Sequence, residues 1–296
     1  MLRLLLPLFF TLLCTSGRAQ SGVKISSVTH LERTHFQVKT TSATYLYDPV
    51  AGGFSSIIDP SGKDWVQYRD TPWGEYPASA ASSFRGLPNL VYGGDDDGAG
   101  HPGHKKCESK VVGKNRIQTV SLSGDWTWTW TFYKDCARLD VEKAPTDRNY
   151  WFLYEGPAGG VYRPQSTFWA TDQSHPSYDL YDHYQGKIHR GQYRYMYFGE
   201  DSSPRVFFML QATSGQESDH ISYLGNDKQG ALASKDGMVV AGFGRTEGAT
   251  PLLTGQHTFL IGFRNFIGAE ERLDNRLRTG IERLARRRGK ERVVGN

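Results

Sequence analysis

Hydrophobic and polar residues alternate along much of this chain with a period of two. Trp126, Trp128 and Trp130 interleave with Thr127, Thr129 and Thr131. That spacing puts the three indoles on one face of a strand and the three threonines on the other. A second aromatic run, Tyr150-Trp151-Phe152-Leu153-Tyr154, leads into a Gly-rich turn. The same pattern predicts strands over 35–40, 43–48, 54–59, 116–121, 138–143, 193–198, 205–211, 238–243 and 258–263. Turn residues such as Pro49 to Gly53 and Pro60 to Gly62 separate them. Many short strands at regular spacing predict an all-β fold, a large antiparallel β-sandwich. An indole row serves equally as sandwich core or as a flat platform for sugar rings. Alternation alone does not choose between them.

Two stretches break the rhythm. Residues 64–104 form a long polar and aromatic excursion rich in Gly, Pro and Ser, and 162–191 form another, crowded with His, Tyr and Asp. Long irregular segments in a compact domain usually carry function, so both are expected at the lips of a cleft. The two ends read differently. From Ala269 onward Leu273, Leu277, Ile281 and Leu284 recur at helical spacing. They predict a short amphipathic C-terminal helix, followed by the basic tail Arg286 to Lys290. At the other end, Arg3 precedes an apolar run from Leu4 to Cys14, and Gly17-Arg18-Ala19 supplies small residues around a cleavage point. This reads as a signal peptide over 1–19 and predicts a secreted or periplasmic protein. Cys14 follows Leu13, a larger residue than lipoprotein anchors usually accept. The expected division is a signal peptide at 1–19, a β-sandwich domain at 20–268, and the helix and tail at 269–296.

Charge narrows the partners. The formal net charge is +4, but residues from 269 on hold nine Lys/Arg against five Asp/Glu. The body of the protein is therefore nearly neutral and predicts no nucleic-acid footprint. No later segment is apolar enough for a membrane span. Cys107 and Cys136 remain after the leader, either as one disulfide or as two buried thiols. They are too far apart for a metal site without further ligands, and neither a metal nor a cofactor is expected.

Candidate chemistry falls in three places. In the first excursion, Arg85 would clamp a carboxylate, Asn89 would add directed hydrogen bonds, and His101 or His104 would move a proton near neutral pH. Asp95-Asp96-Asp97-Gly98 lacks calcium-loop spacing and reads as a solvated turn. In the second, Asp172, His175, His183, Arg190, Tyr193 and Arg194 crowd together, with Trp169 as an aromatic platform. A His or Tyr would serve there as base, with an arginine holding charge. Glu155 stands at a strand end beside a Gly turn. The third place is Arg245-Thr246-Glu247, which follows a strand and reads as a salt bridge or a cleft rim. No nucleophile elbow, phosphate loop, dinucleotide fingerprint or zinc-protease helix occurs.

The strand cadence from about Val23 to Ile267, the Arg85/Asn89 loop, and a histidine at 101 or 104 followed some seventy residues later by His175 resemble the galactose-mutarotase-like β-super-sandwich superfamily. That group includes sugar epimerases and the sandwich domains of polysaccharide lyases and glycoside hydrolases. The resemblance implies a carbohydrate-active protein with a poly- or oligosaccharide as partner. It also implies acid/base work by two histidines and a late glutamate beside an arginine. His104, His175, Arg85, Glu247 and Tyr193 are then the expected catalytic residues. Asn89, His101, Glu155, Asp172, His183, Arg190, Arg194 and Trp169 are the expected substrate-binding residues. Three functions fit: a lyase acting on a uronic-acid-containing glycan, a sugar epimerase or mutarotase, and a glycan-binding protein without catalysis.

Overall fold

The computed structural model describes residues 22–66, 87, 89–91, 106–179, 181–213, 219–224, 237–245, 250–266 and 271–289. The predicted leader, Arg85, His101, His104, Glu247 and the end of the basic tail lie outside these residues. The strands in chain order are β1 (Lys24–His30), β2 (Arg33–Lys39), β3 (Thr44–Asp48), β4 (Gly53–Ile58), β5 (Asn89–Val91), β6 (Cys107–Val112), β7 (Arg116–Ser121), β8 (Thr127–Phe132), β9 (Ala137–Lys143), β10 (Trp151–Gly156), β11 (Thr167–Thr171), β12 (His189–Gly191), β13 (Tyr195–Glu200), β14 (Arg205–Gln211), β15 (Asp219–Leu224), β16 (Met238–Phe243) and β17 (Thr258–Asn265). The helix α1 (Glu271–Arg288) closes the chain.

These strands make three antiparallel sheets: β1-β2-β3-β4, β12-β15-β16-β10-β5, and an eight-stranded sheet β11-β13-β14-β17-β9-β8-β7-β6. The eight-stranded sheet is the spine. One half of its inner face packs on the four-stranded sheet. There Trp128, Trp130 and Phe132 of β8 meet Tyr45, Tyr47 and Phe54, with Phe54 and Trp130 centred 4.8 Å apart. The other half packs on the five-stranded sheet. Phe152 of β10 stacks on Phe259 of β17 at 4.3 Å, and Tyr154 lies 5.0 Å from Phe207 of β14. The indole row is therefore core. Trp126, Trp128 and Trp130 are fully buried, and the Trp128 indole N–H donates to the Tyr47 hydroxyl at 3.1 Å.

The outer face of the spine is divided. Over β11, β13, β14 and β17 it is apolar, and Leu277, Ile281, Leu284 and Ala285 of α1 cover it. Their spacing lays one stripe of the helix against the sheet, as the sequence pattern predicts. Over β7, β8 and β9 the outer face carries Gln118, Thr129, Arg138, Asp140 and Glu142 and forms an open polar groove. The excursion expected at 162–191 is more ordered than its composition suggests, since it contains β11 and β12. Cys107 and Cys136 are buried thiols with no disulfide between them, and burial lifts the Cys136 thiol to about 12. Among the described residues no helix is long and apolar enough to cross a membrane.

Candidate functional site

The inner residues of β10 are Phe152 and Tyr154, so alternation turns Trp151, Leu153 and Glu155 to the outer face of the five-stranded sheet. Antiparallel registry brings partners to them from distant parts of the chain. Leu153 pairs with Gly242 of β16 and with Asn89 of β5, and Glu155 pairs with Val240. His220 of β15 pairs with Arg190 of β12. Ser222, two residues beyond His220, points the same way. A short helical turn, His183–Gln185, is held against β15 by Tyr223, whose N–H donates to Tyr181 O at 2.7 Å and whose hydroxyl donates to Asp182 at 3.0 Å. His183 thereby reaches Ser222, with Nδ1 and Oγ 3.3 Å apart.

Arg245 completes the cluster. β16 ends at Phe243, and Gly244 turns the chain with φ +80°, a left-handed conformation that favours glycine. A Cβ at Gly244 would stand 2.3 Å from the Leu253 side chain, and its N–H is pinned by Asp219 at 2.5 Å. The turn lays the Arg245 guanidinium over the Trp151 ring, 3.9 Å from its centroid. Trp151 in turn stacks on His220 at 5.5 Å and 25°. Arg245 Nη1 donates to His220 Nε2. Arginine, indole and imidazole thus fix one another, all in nearly buried positions.

The electrostatics follow from this packing. Burial and then the Arg245 charge push His220 down to about 2, so its ring is neutral at physiological pH. With Nε2 accepting from Arg245, the ring proton sits on Nδ1. Burial and then Arg245 also hold His183 below the ordinary histidine range, against Asp182. Burial lowers Arg245 to about 10, with Glu155 opposing and Arg190 reinforcing the shift, and it remains a cation. Among the described residues no carboxylate ion-pairs with its guanidinium. Two buried donors, Trp151 Nε1–H and His220 Nδ1–H, have no hydrogen-bond partner among the described residues. Leaving such donors unpaired costs about 1–3 kcal/mol each. The face therefore offers a desolvated cation and spare N–H donors, with Glu155 at its edge. That suits an oxygen-rich anion.

The residues expected from sequence divide among several places. Glu155, His183 and Arg190 come together on this face, and Asn89 enters it through its β5 pairing. Tyr193 does not: it lies in the sandwich core, donates to Gly242 O at 3.3 Å, and burial holds its phenol well above the ordinary range. A phenol so held does not act as a base near neutrality. His175 stands on the helix side of the spine, where its exposed ring reaches Asp274 of α1 at 3.2 Å. Asp172 accepts the Arg194 N–H at 3.1 Å, and Arg194 pairs with Glu282 of α1 at 3.0 Å. Trp169 is buried, donates to Asp179 O at 3.1 Å, and packs with His189 and Tyr181. It lines a cleft of about 30 Å³, room for about one water. Sequence reasoning passed over Trp151 as a site residue, left Arg245 as a salt bridge or a cleft rim, and missed His220. The available signal was the alternation of His220 and Ser222 against Ile221 and Tyr223. Among the described residues no group of three or more His, Cys, Asp or Glu is placed to hold a metal.

No protein-family model matches the sequence, and no curated protein does. Solved structures match in shape. HI1317 shares 8% identity with a TM-score of 0.53, over 81% of this chain and 96% of that one. A putative mutarotase, YeaD, from Salmonella typhimurium shares 6% identity with a TM-score of 0.52, over 82% and 94%. At such identities the likeness concerns the fold alone. With its antiparallel sheets and single C-terminal helix, the chain has the galactose-mutarotase-like β-sandwich fold.

Proposed function

We propose that this is a carbohydrate-active protein whose site is the Trp151–His220–Arg245 face, and that it takes an acidic sugar there. The observation that carries the reading is Arg245, a buried guanidinium that faces a neutral histidine and has no ion-paired carboxylate among the described residues. A sugar carboxylate would fill that role with charge-assisted hydrogen bonds. The chemistry that fits best is lyase-type elimination from a uronic-acid-containing glycan. Arg245 would neutralise the carboxylate so that the adjacent C–H becomes acidic, as electrostatic stabilisation requires. His183, kept in its unprotonated form, would take that proton. The electron pair left behind forms a carbon–carbon double bond, and the glycosidic oxygen on the next ring carbon departs and is protonated. Mutarotation fits less well, because it asks for an imidazolium donor and His220 is held neutral. The apolar leader read at 1–19 agrees with a polymer met outside the cytoplasm.

The test is incubation with a panel of uronic-acid polysaccharides, following the ultraviolet absorbance of the unsaturated uronide. A rise that disappears in His183→Ala establishes elimination. A flat trace with retained binding, lost in Arg245→Lys, leaves an acidic-glycan binder. A flat trace without binding of any acidic glycan overturns the reading.

A further inference from the structure

A second polar surface lies on the opposite side of the molecule, and nothing in the proposed chemistry uses it. The open half of the spine's outer face forms a groove of about 890 Å³, within the range of small-ligand sites. Its floor is one row of side chains on four neighbouring strands. Gln118 of β7 pairs with Thr129 of β8, Thr129 with Asp140 of β9, and Asp140 with Thr258 of β17. Three inter-strand steps give the row a length of roughly 14 Å. Gln256 closes one side by donating to Glu142 O at 2.8 Å, and Arg138 ties the other to the end of α1 through Arg288 O at 2.9 Å.

Asp140 is the centre of the row. Its Oδ1 accepts from Arg138 Nε at 3.0 Å, Arg138 Nη2 at 2.8 Å and the Thr258 hydroxyl at 2.8 Å. Its Oδ2 is buried and has no hydrogen-bond partner among the described residues, although the residue lines the groove and is only 7% exposed. A buried carboxylate oxygen left without a donor is costly, and a groove-bound hydroxyl is the kind of group that would satisfy it.

The lining also selects the ligand. Arg116 and Arg138 are balanced by Asp140 and Glu142, so neither a polyanion nor a polycation is favoured. The floor is a sheet face, whose backbone groups are already paired, so an extended peptide finds no edge to join. What remains is a line of hydroxyl, amide and carboxyl groups crossing the strands. We infer that this groove is a second binding site, for a neutral hydroxyl-rich chain such as an unsubstituted oligosaccharide.

The test uses the full chain and saturation-transfer NMR with neutral gluco-, xylo- and manno-oligosaccharides, with an oligouronide for comparison. At least one neutral oligosaccharide should bind. Asp140→Asn should weaken it about tenfold, and Gln118→Ala, a half-buried change that leaves the fold alone, several-fold. Arg245→Lys on the far face should leave it unaltered. The inference is overturned if no neutral oligosaccharide binds, if only the oligouronide does, or if binding is lost in Arg245→Lys and kept in Gln118→Ala. Because the proposed reaction is read on acidic glycans and through Arg245, each proposal can fail without the other.

Discussion

Trp130 and Trp151 are both tryptophans on central strands, both almost fully buried, and they do opposite things. Trp130 points inward against Phe54 and Phe132 and is surrounded by apolar rings. Trp151 points outward and packs against a guanidinium and an imidazole that are bonded to each other. The first placement gains from removing apolar area from water, about 25 cal/mol for each Å². Both indole N–H groups lack a hydrogen-bond partner among the described residues, so what sets the second apart is that it gives up part of that gain to hold a cation in a dry place. Burial therefore does not separate core from site in this protein. The polarity of what each ring touches does.

The widest expected separation is in stability. Trp130→Ala should cost about 3–5 kcal/mol, the range for emptying a large aromatic position in a packed core. Trp151→Phe should be nearly neutral, within about 1 kcal/mol, because the packing it loses is offset by removal of a buried unpaired N–H. Its effect should appear instead as weaker binding of an acidic glycan. Denaturant midpoints with a titration of each variant check both. Equal destabilisation by the two changes, with binding intact in Trp151→Phe, would break the comparison.

Acid sharpens it next. His220 protonates near 6.5 in the unfolded chain and at about 2 in the folded one. The unfolded state therefore binds the extra proton throughout that interval. Stability is complete above 6.5 and falls as the pH drops through the window, by up to about 1.4 kcal/mol per pH unit. His220→Gln keeps an acceptor for Arg245 and does not titrate, so its unfolding free energy should fall less steeply with acid than the wild type's. Identical slopes would mean that burial and the Arg245 charge do not hold His220 neutral in the fold. The core around Trp130 should contribute nothing to the difference.

The contrast also explains what was legible in the sequence. β8 was legible because its strict alternation of aromatic residues with threonine admits little but a strand, and β10 because a short aromatic run leads straight into a Gly-rich turn. The all-β class and the amphipathic α1 followed from similar periodicities. β5 and β12, three residues each, carry too few positions to show a period. The site was harder for a geometric reason. It takes residues from β10, β12, β15 and the turn after β16, which only cross-strand registry brings together. Sequence reasoning grouped neighbours instead, and a single residue along a strand reverses the face. His183 and Arg190 went to the sheet face, while Asp172, His175 and Arg194, from the same stretch, went to the helix side. Arg85, His101, His104 and Glu247 fall outside the described residues.

His175 gives the smallest expected effect and the most direct contrast with His183. Its ring is 74% exposed and touches Asp274, whose carboxylate also receives the Tyr197 hydroxyl and Arg278 Nε at 2.8 Å. Asp274 is fully buried and keeps those two donors when the histidine is removed. A pair with one partner this exposed is screened by solvent and contributes about 0.2–1 kcal/mol. His175→Ala should therefore lower the unfolding free energy by no more than about 1 kcal/mol and leave turnover and binding of an acidic glycan unchanged. His183→Ala, about as simple a truncation, should abolish turnover with a similarly small effect on stability. If His175→Ala removes turnover while the protein stays folded, the chemistry belongs on the helix side of the spine and the Trp151 face loses its claim to it.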